Sequence, residues 1–173
     1  HMIVHGAELG LQRLALEIAA VLGERDLLRW NAGRRDADLR LRIEALRRGR
    51  VDDPHVAADV RVDGGARQRA LRSVDVLQRQ IEERTAASDE TDADIGRLLA
   101  FAYPDRIAQS RGAGGRYLLS GGRGARLADA QSIAQAEFLV VADLDAGDRE
   151  ALIRLAAPLP RATLEADFAS LIE

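Results

Sequence analysis

Five arginines, Arg106, Arg111, Arg116, Arg123 and Arg126, stand in a stretch that carries no Asp or Glu from Arg106 to Ala128, in a chain whose net charge is -3. A guanidinium presents a planar fork of N–H donors that matches a phosphate. Such an island is therefore where a polyanion would bind. All 25 basic residues are arginines and none is a lysine. A GC-rich genome explains that choice of residue, but not the separation of charge. Arg123 lies within a glycine turn, GGRG, and Arg126 just after it, which would expose their side chains to a phosphate backbone. The segment RGAGGR, from Arg111 to Arg116, could turn backbone N–H groups toward a phosphate, or it could be a plain connection. Tyr117 follows at once, and an exposed ring there would stack on a base. Core packing is the other reading of Tyr117 and the favoured one.

Other candidates carry less. Asp143 and Asp145, two apart near a strand end, could hold a magnesium ion, yet no third ligand is indicated and a solvated pair of carboxylates accounts for them. His1, His5 and His55 lack metal-ligand spacing. With no cysteine, disulfides and thiolate metal sites are excluded. No G-x-S-x-G elbow occurs, nor a G-x-x-x-x-G-K-[ST] loop, which the absence of lysine forbids, nor a D-E-A-H motif. Nothing in these residues supports catalysis by the chain itself. Arg67, Arg69 and Arg72 on a predicted helix could form an edge along which RNA runs, or an ordinary solvated face partly paired with Asp75 and Glu82.

The elements that must position these groups follow from periodicity. Leu11, Leu14, Ile18, Val21 and Leu22 lie at three- and four-residue steps and predict an amphipathic helix from Ala7 to Leu22. Asp36 or Asp38 can cap a second, with Leu39, Ile43 and Leu46 inside and Gly49 at its end. Residues 51–65 read as a polar connection with one short turn around Val56 to Val60. A long helix over Ala66 to Arg84 buries Ala70, Val74, Leu77 and Ile81. Thr91 and Asp94 form a capping-box-like start to another, with Ile95, Leu98, Leu99 and Ala102 on its core side and Pro104 interrupting it. Period-two stretches, with the pattern of the family named below, place strands at Arg116 to Ser120, Ala125 to Leu127, Glu137 to Leu144 and Ala151 to Ala156. A last helix uses Leu164, Phe168, Leu171 and Ile172.

With 173 residues and 47% hydrophobic content, the chain can bury a real core in one domain or two small ones. The sequence pI of 5.7 would argue against nucleic acid as an average. Two blocks, residues 82–94 and 129–173, are instead rich in acids and weigh on that average. No apolar run approaches a membrane span of about 20 residues, and a cysteine-free chain suits a reducing cytoplasm.

The words AYPDRIAQ, YLLSGGRGARL, FLVVADLD and IRLAAPL resemble the C-terminal accessory region of bacterial DEAH-box ATP-dependent helicases of the HrpB type. Upstream, GAELGLQRLALEIAAVLGERDLLR, DADLRLRIEALRRG and ARQRALRSVDVLQRQIEER follow, in order, the helical helicase-associated ("ratchet") segment of that family, so the resemblance covers nearly the whole chain. It implies an α+β fold: an N-terminal helical bundle over residues 3–110, then a small OB-like β-barrel with a C-terminal helix over 111–173. His1–Met2 reads as a cloning remnant. The resemblance further implies that two motor domains and a winged-helix domain precede residue 3 in the parent protein, that a tail follows Glu173, and that ATP and magnesium belong to those motor domains, with no cofactor in this part. The expected partners are single-stranded RNA or DNA and the parent's motor and winged-helix domains, with no membrane, in the cytoplasm. The expected role is to guide a single strand for the ATPase motor through Arg106, Arg111, Arg116, Tyr117, Arg123, Arg126, Arg67 and Arg69. The alternative is a protein-interaction module that packs on the motor domains or a regulatory partner without touching nucleic acid.

Overall fold

The computed structural model describes residues 1–31, 33–81, 87–128, 131–145 and 150–169. They form two compact units, one of residues 3–35 and 39–90, the other of 1–2, 36–38 and 91–173.

In the first unit, helix α1 (Met2–Glu8) ends before Gly10, whose φ of 72° is accessible to glycine at little cost, so the expected single helix is broken in two. Helix α2 (Gln12–Gly23) buries Leu14, Ile18 and Val21 as its spacing predicts. Strand β1 (Leu28–Trp30) then pairs antiparallel with β2 (Val60–Val62). The expected polar connection therefore contains a strand, preceded by a 3-10 turn at Ala57–Asp59. Helix α3 (Leu39–Arg48) buries Leu39, Ile43 and Leu46, and Gly49 follows with φ 71°. Helix α4 (Gly64–Gln80) begins because the Asp63 carboxylate accepts from the Ala66 N–H at 3.0 Å, and it buries Ala66, Ala70 and Val74 against α2.

The second unit is built on a closed five-stranded barrel. Strands β3 (Ile107–Ser110), β4 (Arg116–Leu119), β5 (Gly124–Arg126), β6 (Phe138–Leu144) and β7 (Ala151–Pro158) run in the order β3-β4-β5-β7-β6. Every neighbouring pair is antiparallel except β5–β7. First, second, third, fifth, fourth is the order of an OB-type barrel, and the fold is α+β as expected. Inward residues Ala108, Tyr117, Leu119, Ala125, Leu139, Val141, Ile153 and Ala156 fill it. Residues 36–38 lie along β7, where Ala37 accepts from the Ala156 N–H at 2.8 Å and gives its own N–H to the Gln131 side chain at 2.8 Å.

Helix α5 (Asp92–Ala102) starts with the expected capping box between Thr91 and Asp94. It packs on β6 and β7, and at Gly96 an added Cβ would stand 1.9 Å from the Pro158 carbonyl oxygen. Helix α6 (Arg161–Asp167) joins it through Arg97, which donates to Asp167 at 2.5 and 3.1 Å, and through the Phe101 and Phe168 rings, 4.8 Å apart. By packing, then, α5 and β3 go with the barrel, although the expected helical domain ran to residue 110. An apolar stripe on a helix says that it is covered, not by what. Leu171 and Ile172 of the expected last helix lie outside the described residues.

Candidate nucleic-acid interface

The outer surface of β4 and β5 follows from strand alternation. Along β4, Arg116 and Leu118 face out while Tyr117 and Leu119 face in; along β5, Ala125 faces in and Arg126 out. The register pairs Arg116 with Arg126 and Leu118 with Gly124. Two guanidinium groups thus share one rung of the ladder on the solvent side. Like charges directly opposite destabilise an antiparallel pair, so the fold alone does not favour this rung.

Arg111 extends the same corner, since its N–H donates to the Arg116 carbonyl at 2.8 Å. The intervening loop turns on Gly112, Gly114 and Gly115 with φ of 90°, 94° and 64°. Arg123 lies on the β4–β5 turn, where its carbonyl accepts from the Leu119 N–H at 2.9 Å and Gly122 has φ 80°. Arg116, Arg123, Arg126 and Arg111 are all exposed. The Glu150 carboxylate lies 4.0 Å from Arg116. The structure brings Arg111, Arg116, Arg123 and Arg126 together on the second and third strands and the first loop of the barrel.

The remaining expected residues are placed differently. Tyr117 is 1% exposed and its hydroxyl is shared between the carbonyl oxygens of Ile133 and Ala136 at 3.1 and 3.0 Å. Base stacking by Tyr117 is therefore corrected to a core role, because strand alternation turns its ring into the barrel. Burial also raises the pKa of its phenol above the ordinary 10.0. Arg106 is half-buried: it donates to the Ala142 carbonyl at 2.9 Å and lies over the Tyr103 ring at 5.0 Å, tying the Pro104–Arg106 turn to β6.

Arg67 and Arg69 belong to the helical unit and are engaged there. The Arg67 guanidinium donates to the carbonyls of Ala45, Leu46 and Arg47 at 3.2, 2.8 and 3.2 Å, closing the C-terminus of α3. Arg69 forks onto both oxygens of Glu24 at 3.0 and 3.1 Å, and that bond is the main cause holding the Glu24 pKa below the usual value. Both guanidinium groups thus have partners within the helical unit. Asp145 accepts from the Leu152 N–H at 2.9 Å and pairs with Arg154 at 3.2 Å, a structural use of that carboxylate. Among the described residues no cluster of three His, Cys, Asp or Glu could hold a metal.

Sequence reasoning missed Leu118, 39% exposed between the arginines, although the alternation that buries Tyr117 also turns Leu118 outward. Among the described residues no helix is long and apolar enough to cross a membrane.

No family model matches the chain, and no curated protein matches it. Solved structures do. The chain is similar to the Escherichia coli DExH-box NTPase HrpB, with 26% identity and a TM-score of 0.66 over 98% of this chain and 18% of that one. It is likewise similar to the crystal structure of the Escherichia coli DEAH/RHA helicase HrpB, with 25% identity and a TM-score of 0.62 over 92% of this chain and 17% of that one. The chain thus spans less than a fifth of the proteins it matches, and its likeness is to one region of a DEAH helicase.

Proposed function

We propose that this chain is an accessory nucleic-acid-binding region of an HrpB-like ATP-dependent DEAH-box RNA helicase, and that its barrel holds single-stranded nucleic acid for an ATPase motor carried elsewhere in the parent protein. The observation that carries this reading is the pairing of Arg116 with Arg126 on one rung. A phosphate between the two guanidinium groups would replace their repulsion with two charge-assisted contacts. Barrels of this topology bind oligonucleotides on the face of the second and third strands and with the loops between strands one and two and strands four and five. Here those strands are β4 and β5, and the first loop carries Arg111.

The chain's part in the reaction is positional. Arg111, Arg116, Arg123 and Arg126 grip backbone phosphates, which carry no base code, so the hold tolerates any sequence and lets a strand be moved along it. ATP and magnesium act on the motor domains, and the chain alone turns nothing over. The parent's motor and winged-helix domains are its other partners, in the cytoplasm.

The second reading, a protein-interaction module, draws on a groove of about 540 Å³ between α2 and α4, floored by Ala19, Ala20 and Gly23 with Val76 51% exposed on its wall. Fluorescence-anisotropy titration with labelled single-stranded RNA and DNA at low and physiological salt separates the two. Binding that weakens with salt is expected; no binding at low salt favours the interaction module.

A further inference from the structure

Beside the arginine rung the barrel has a cleft of about 550 Å³, lined by Ser110, Gly112–Gly115, Leu127, Ala128, Ala134 and Gln135. Its volume falls within the roughly 300–1,000 Å³ of small-molecule sites. Among the described residues no charged side chain lines it. One wall is aliphatic: Leu127, Ala134 and the backbone of Gly115, where a Cβ would meet Leu127 at 3.4 Å. Gln135 and the backbone of the 112–114 segment, also among the lining residues, supply polar groups of the kind that can meet the edge of a planar ring. The Ser110 hydroxyl is engaged with the Gly112 carbonyl at 3.2 Å and braces the loop.

The charges stand at the cleft's borders. Arg111 lies between Ser110 and Gly112, Arg116 follows Gly115, and Arg126 precedes Leu127, whose N–H donates to the Gly115 carbonyl at 2.9 Å. The Arg111 and Arg126 side chains form no ion pair among the described residues, and neither has any further polar partner there. A partly apolar recess with no charged side chain among its described lining residues, next in the chain to three exposed arginines, complements one chemical unit in particular: a flat, uncharged heterocycle carried on an anionic backbone.

We propose that this cleft receives an unstacked nucleobase while Arg111, Arg116 and Arg126 hold the phosphates on either side of it. The proposal rests on the reading that the barrel face meets nucleic acid, and it narrows the ligand: a single strand whose bases are free to turn out, not a duplex and not a simple polyanion. Gln135, with both donor and acceptor, can meet the edge of any base, so the cleft adds grip without strict sequence choice.

The test compares a labelled single-stranded decamer with an abasic deoxyribose-phosphate decamer of equal charge, by anisotropy at one salt concentration. The base-bearing strand should bind at least about five-fold more tightly, equivalent to about 1 kcal/mol. Ala128→Phe, at an exposed position on the cleft, should remove that preference and leave abasic binding unchanged. Gln135→Ala, also exposed, should reduce it with less risk to folding. Equal affinity for the two decamers, or an equal loss for both in Ala128→Phe, would overturn the proposal. If neither decamer binds, the phosphate-gripping reading fails, and free adenosine and uridine decide the cleft separately. Amide shifts confined to residues 110–115, 127–128 and 134–135 would uphold it, and their absence would end it.

Discussion

Arg116 and Arg126 sit on one rung of the β4–β5 ladder, both exposed, with Tyr117 and Ala125 turned into the barrel beside them. A sheet that served only as a scaffold would gain by replacing one of the two. Arg126→Gln is therefore expected to leave the thermal midpoint unchanged or slightly raised, by no more than about 0.5 kcal/mol in stability, while weakening single-strand binding. Calorimetry and anisotropy on the same sample check both halves.

Tyr117 predicts the opposite pairing of effects. Tyr117→Phe removes the hydroxyl's hydrogen bond to the Ile133 and Ala136 carbonyls, the first of which still accepts from the Ala136 N–H, and should cost about 1 kcal/mol with no change in nucleic-acid affinity. The phenol's pKa is raised by burial in the folded state. Its contribution is then fully present below the unfolded value and lost as pH rises through the folded one. Wild-type stability should fall in alkali above about pH 10 more steeply than that of Tyr117→Phe, as chemical denaturation at stepped pH will show.

Gly96 is a packing requirement. A Cβ there would lie 1.9 Å from the Pro158 carbonyl oxygen, and that neighbour is backbone, which cannot rotate away. Gly96→Ala should destabilise the barrel unit by about 2–4 kcal/mol despite alanine's better helix propensity, and thermal unfolding will register it.

Arg67→Ala removes three hydrogen bonds to the end of α3. It should cost about 1–3 kcal/mol and leave strand binding intact, which separates this arginine from those of the barrel.

Local signals were the legible ones. The Thr91–Asp94 capping box needs only residues three apart, and β4 to β7 could be placed from period-two stretches together with the pattern of the family that the sequence resembles. Strands β1 and β2 are three residues each, too short for a period to show, and they exist because they pair with each other across about 30 residues of chain. Arg67 looked like a surface charge because the α3 carbonyls that it caps are remote in sequence. The charge island was visible as an interval without acids; its division into four outward arginines and one, Arg106, held against β6 required the strand register. The cleft was invisible, since it is assembled from a loop, a strand end and the Ser132–Gln135 turn.

The most direct test of the central claim is the salt dependence of single-strand binding by the wild-type chain and by Arg116→Gln/Arg126→Gln. If the rung grips phosphates, the plot of log affinity against log salt should be shallower in the double variant by about 1.4, about 0.7 for each phosphate that an arginine no longer neutralises. Parallel slopes, with the variant binding as well as the wild type, would contradict the account.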